Sequence, residues 1–123
     1  MNEILEKIGG PTVIKRLVES FYERIFADPE LAPFFRDTDP KTLKKMQQTS
    51  FEVALGEPCS QLRSTIYRVH AGRGIERHHL SRFTEHLIET LNEIGISDRD
   101  ADQVVQKIAM YANEVTGDSN VDG

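Results

Sequence analysis

The chain is poor in the residues that staple a fold or mark a membrane protein. Its 123 residues include one cysteine, Cys59, and no tryptophan. A lone cysteine excludes an internal disulfide and fits a reducing cytoplasm, and Cys59 reads as an inert thiol. No run is long and apolar enough to cross a bilayer, and the N-terminal stretch Met1 to Lys7 is too acidic for a signal peptide. Membrane insertion is therefore not expected. Basic charge is also scarce: 15 Lys and Arg against 20 Asp and Glu leave a formal charge of -5. Nucleic-acid binding rewards a basic stripe, so that class of partner is excluded. No repeat, Ser/His/Asp order or paired-carboxylate constellation stands out. The glycines around Arg73 follow no strand, so they are not a nucleotide loop. No segment alternates with period two over a useful length, which leaves an all-α class.

What is present is a set of amphipathic helices punctuated by Gly and Pro. Residues 3 to 8 predict a short helix, ended by Gly9-Gly10-Pro11. The pairs Val13-Ile14, Leu17-Val18, Phe21-Tyr22 and Ile25-Phe26 recur every four residues, with charges between them. Asp28-Pro29 and Asp39-Pro40 each read as an N-cap followed by a first-position proline. The first predicts a brief helix ending at Phe34-Phe35, and the second a helix to Gly56. Leu80, Phe83, Leu87, Leu91 and Ile94 form a further stripe that stops at Gly95. Ser97 to Asp100 resembles a capping box opening a final helix through Val104, Ile108 and Val115. One domain over residues 1–117 is expected, with 118–123 as a disordered tail.

The stretch around His70 draws attention first. Leu62, Ile66 and His70 share one helical face, so His70 lies on an apolar stripe, and Gly72 and Gly74 then break the helix. Such a histidine is either a metal ligand or a core group bonded to a carbonyl. The helix after Pro40 has the inner stripe Leu43, Met46, Gln47, Ser50, Phe51, Ala54. Gln47 interrupts it, and a buried amide needs a partner. Tyr22, a phenol on another apolar stripe, is the natural one. The two face an enclosed ligand or make a buried hydrogen bond that fixes the core. His78, His79 and His86 read as capping or surface residues, with His79 near the pocket edge. An adjacent-pair metal site is disfavoured, because His78 and His79 point in different directions on a helix.

Phe21-Tyr22, Ala32-Pro-Phe-Phe35, Gln47, Ala54-Leu-Gly56 and Val69-His-Ala-Gly-Arg-Gly-Ile75 followed by His78-His79, in that order, resemble a group I truncated haemoglobin. The resemblance spans Ile4 to Thr116 and leans toward the mycobacterial nitric-oxide-detoxifying type. It implies a two-over-two helical sandwich around haem b. His70 would be the iron ligand, Tyr22 would donate to the bound gas, and Gln47 would support Tyr22. Phe21, Phe35, Leu43, Met46, Phe51, Tyr67 and Ile75 would line or back the haem. Arg73 would meet a propionate, or else be a solvated arginine. Dioxygen, nitric oxide and carbon monoxide are the implied ligands, with an unidentified reductase as partner and a monomer or weak dimer as the state. Conversion of nitric oxide to nitrate is one implied activity. Dioxygen storage, delivery or sensing is another, and a haem-free helical interaction domain is the third reading. The resemblance departs at Met46, where relatives carry a histidine or lysine, at Ser50, a usual phenylalanine, and at Glu57, a usual glycine.

Overall fold

The computed structural model describes residues 3–56 and 60–116. Among them are seven α-helices and no strand: α1 Glu3–Ile8, α2 Gly10–Ala27, α3 Pro40–Ala54, α4 Ser60–His70, α5 Arg77–Glu93, α6 Asp98–Ala109 and α7 Ala112–Thr116. A 3-10 turn, Ala32–Phe35, lies between α2 and α3. Helix α2 packs on α3 and on α5, α5 packs on α6, and α3 touches α6. The result is one helix pair, α2 with α3, laid over a second, α5 with α6. Helix α1 closes one side against α2 and α6, and α4 pairs with α7.

Helix α2 anchors the core for the reason its spacing gives. Ile14, Leu17, Val18, Phe21, Tyr22 and Ile25 are each 2% exposed or less. Burying one such side chain contributes about 1.5–3 kcal/mol, so this single face outweighs any cap or ion pair in the fold. The turn into α2 depends on Gly9, whose φ is +121°. A Cβ there would also collide with the Val13 side chain, so no other residue fits.

Helix α3 opens as its sequence predicts. The Asp39 carboxylate accepts from the Thr42 amide at 3.1 Å and from its hydroxyl at 2.7 Å, with Pro40 in the first turn. Ser97 Oγ likewise accepts from the Asp100 amide at 3.2 Å at the start of α6. Three expectations change. Asp28 does not open a helix: it ends α2, and the 3-10 turn starts only after Leu31. Its carboxylate instead accepts from the Glu30 amide at 2.8 Å, twice from Arg82 Nε and Nη2, and from His86 Nε2 at 2.7 Å. The final helix is broken at Met110–Tyr111 into α6 and α7. His86 is no surface residue, since it holds Asp28 with its side chain 22% exposed. Cys59, Glu57 and the 118–123 tail lie outside the described residues.

Candidate functional site

A cavity of about 200 Å³ lies between the helix layers. One water needs roughly 10–15 Å³ on the same kind of measure, so the space suits a much larger guest. An apolar guest that fills a space of this size contributes on the order of 5 kcal/mol at ~24 cal/mol per Å³. Tyr22 and Ile25 of α2, Phe35 of the 3-10 turn, and Gln47, Ser50 and Phe51 of α3 form part of its wall. Ile66 and His70 of α4 and Ile75 beyond the two glycines form another part. The residues opposite come from α5, α6 and α7: Leu80, Phe83, Leu87, Val105, Ile108 and Val115 among them.

The two polar heads differ in how they are held. His70 Nδ1 donates to the carbonyl of Ile66 one turn back, at 2.8 Å. That bond fixes the tautomer and leaves Nε2 with its lone pair. Burial pushes the His70 imidazole below its usual value, and the Arg73 charge adds to this, while the Ile66 bond opposes it. The ring is thus a neutral base. Gly72 and Gly74, at φ +83° and +78°, turn the chain away directly after it. Burial pushes the Tyr22 phenol far above its usual value, so it stays protonated and serves only as a neutral O–H group. Among the described residues neither Tyr22 nor Gln47 has a side-chain hydrogen-bond partner, and the expected Tyr22–Gln47 bond is not made. Both side chains line the same cavity instead.

Phe21 and Leu43 do not line the cavity; they are buried behind it. The Phe21 ring packs edge-on against Tyr22 at 5.0 Å and Phe83 at 4.7 Å between centroids. Phe35 meets Tyr22 edge-on at 5.9 Å. Met46 lies away from the cavity, 52% exposed. It stands roughly 140° around α3 from Phe51 at 3.6 residues per turn, on the edge of the stripe that faces out. Tyr67 is half-buried and Arg73 exposed, and neither reaches the lining. The α5, α6 and α7 walls were visible in the sequence only as apolar stripes, because periodicity does not separate a face packed on protein from one packed on a guest. His79 lines the cavity as well, and its Nδ1 accepts from the Glu76 amide at 2.9 Å.

The bacterial-like globin family model matches residues 3–117, nearly the whole chain. The chain belongs to the bacterial-like globin family. It is 35% identical over 117 residues to the group 1 truncated hemoglobin GlbN of Mycolicibacterium paratuberculosis, covering 94% of this chain and 86% of that one. It is similar in structure to the Fe(III) form of truncated hemoglobin from Tetrahymena pyriformis, with TM-score 0.83 and 27% identity over 93% of this chain and 97% of the other. The 2/2 hemoglobin from Synechococcus, solved in a cyanomet state with covalently attached heme, superposes with TM-score 0.75 at 26% identity, covering 91% of this chain and 96% of that one.

The globin's cofactor is therefore haem iron, and it binds dioxygen; the haem-free helical reading falls with this membership. The donor set fits that group. The His70 imidazole offers a free lone pair while that of His79 is taken by the Glu76 amide, a phenol and an amide share the wall, and the rest of the lining is mostly aliphatic or aromatic. Among the described residues no helix is long and apolar enough to cross a membrane.

Proposed function

We propose that this globin converts nitric oxide to nitrate, with His70 as the iron ligand and Tyr22 as the hydrogen-bond donor to the gaseous ligand. Bound haem supplies the iron at which dioxygen is held and the reaction takes place. The balance is one nitric oxide, one dioxygen and one electron giving one nitrate, so an external reductase must return an electron each cycle. The observation that carries the reading is the Tyr22 hydroxyl: a neutral donor on an apolar cavity wall, with no protein acceptor among the described residues. A ligand oxygen that gains negative character accepts strongly from such a donor, and a dry surrounding strengthens the bond. Gln47 adds a second polar head on the same wall. Phe51, Phe35 and Ile75 exclude water while admitting small apolar gases. Phe21 and Leu43 back the wall and keep Tyr22 in place. Carbon monoxide is a further ligand of the same site but a poor acceptor. The single cysteine is in keeping with a cytoplasmic location.

The test is to mix the haem-loaded, dioxygen-saturated protein rapidly with nitric oxide and measure nitrate. One nitrate per haem, formed faster than dioxygen leaves, is the expected result. Slow or absent nitrate formation beside normal dioxygen binding would leave a dioxygen carrier.

A further inference from the structure

We propose that Glu30, His78 and His79 form a site for a divalent transition-metal ion, where the connection after α2 meets the start of α5. Each offers one ligand atom, and these atoms lie within 4.8 Å of one another. The sequence disfavours this pair because adjacent helical residues diverge. Here both stand in the first turn of α5, and their ring centroids are 3.9 Å apart. The edge of Phe34 or His79 meets the other ring at 4.8 Å, which holds the His79 imidazole in place. His78 Nε2 is 3.6 Å from Glu30 Oε1, and its Nδ1 is 3.4 Å from Glu76 Oε1. Both distances exceed a good hydrogen bond, so His78 is positioned between two carboxylates without being used up by either.

Two imidazoles and a carboxylate suit Zn²⁺, Ni²⁺ or Cu²⁺, and they suit Mg²⁺ or Ca²⁺ poorly. The positive end of the α5 dipole opposes a cation here. Glu30 and Glu76 offset it, although the Arg82 guanidinium also acts on Glu30. The nearby Asp28 charge is matched by Arg82. One exchange is required. His79 Nδ1 now accepts from the Glu76 amide, and a neutral ring cannot keep that bond and also ligate through Nε2. The cation takes the lone pair, and the exposed Glu76 amide turns to water. Binding is therefore expected at micromolar rather than structural-zinc strength. Because Leu31, Phe34, His79 and Leu80 line the haem cavity, an ion here ties together two segments of its rim.

The experiment is calorimetric titration of the haem-loaded protein with Zn²⁺, with Mg²⁺ as competitor, followed by transfer of haem to an apoglobin acceptor with and without Zn²⁺. One Zn²⁺ per chain is expected, unaffected by Mg²⁺, together with slower haem loss. His78→Ala should weaken Zn²⁺ binding at least tenfold, Glu30→Gln by less, and His86→Gln not at all. His78 and Glu30 are exposed, so their variants keep the fold, which an unchanged metal-free melting temperature would verify. No saturable binding up to about 1 mM Zn²⁺, equal affinity in His78→Ala, or displacement by Mg²⁺ would each overturn the proposal.

Discussion

Helices α2 and α4 each deliver one polar head to the cavity, and they are built in opposite ways. Six residues of α2 are buried, and its aromatic residues Phe21, Tyr22 and Phe26 belong to a continuous ring cluster with Phe35, Phe51 and Phe83. No described side chain of α4 is buried. Its apolar face, with Ile66 and His70, looks into the cavity, and its outward ties are polar. Arg63 donates to the Glu114 carboxylate and to the Met110 carbonyl, and lies over the Tyr111 ring at 5.0 Å. The Tyr22 wall therefore gains its rigidity from the protein core. The His70 wall has no fully buried described side chain in α4 and would lean more on whatever fills the cavity.

Breaking the His70 side should have the largest effect. His70→Ala is expected to abolish the Soret band or speed haem loss on the order of a hundredfold, with free imidazole restoring part of it. A wild-type-like Soret band in the variant would remove His70 from the iron. Haem removal sharpens the contrast further. Amide exchange in α4 should then rise about a hundredfold, while α2 changes by less than about fivefold. Equal loss of protection in both helices would show that the cavity guest supports the two walls alike.

Tyr22→Phe tests the other wall. One charge-assisted hydrogen bond of about 1.5–3 kcal/mol corresponds to a rise in the dioxygen off-rate of roughly tenfold to a hundredfold. Carbon monoxide release should change far less. Gln47→Ala should raise the dioxygen off-rate by less than tenfold, since Gln47 holds no bond to Tyr22 that its loss would break. Stopped-flow displacement on both single variants and the double variant measures their coupling.

The smallest functional effect and a clear stability effect are expected at Asp28. Burial alone would raise its carboxyl, but the hydrogen bond from Arg82, then those from His86 and the Glu30 amide, hold it well below the usual carboxylate range. The folded state thus releases this proton more readily than the unfolded chain. The stabilisation is fully present above the ordinary carboxylate value near 3.8 and is lost as pH falls through the lower folded value. Asp28→Asn should cost about 2 kcal/mol at pH 7 and flatten the acid limb of a urea-denaturation series. An unchanged acid limb would show that other carboxylates govern it.

The helix pairs and the His70 face were legible because a stripe of apolar residues at helical spacing has one structural meaning. Tyr22, Gln47, Phe51 and His70 reach one cavity for that reason, whereas Phe35 and Ile75, which also line it, lie outside the α-helices and were indicated only by the family resemblance. Met46 shows the limit. A stripe has edges, and its edge residue faces out or in according to how α3 is rolled against its neighbours. The Asp28 network was illegible because its partners lie 54 and 58 residues away. An Asp-Pro pair looks like a helix start, and only the tertiary fold reveals the competing donors. His78 and His79 were misleading for a local reason: side chains that diverge along a helix can still meet in its first turn.

That same Asp28 cluster has a kinetic meaning. It closes loops of 54 and 58 residues between the end of α2 and the middle of α5, whereas the contacts within each helix pair close sooner. Loop closure of that length is entropically late, so the clamp is expected to be unformed when the chain crosses its folding barrier. Its energy then acts on the way out rather than the way in. Loss of about 2 kcal/mol at such a site would leave the refolding rate nearly unchanged and speed unfolding by about thirtyfold. A buried carboxylate at the end of one helix would in that way set how long the folded globin lasts.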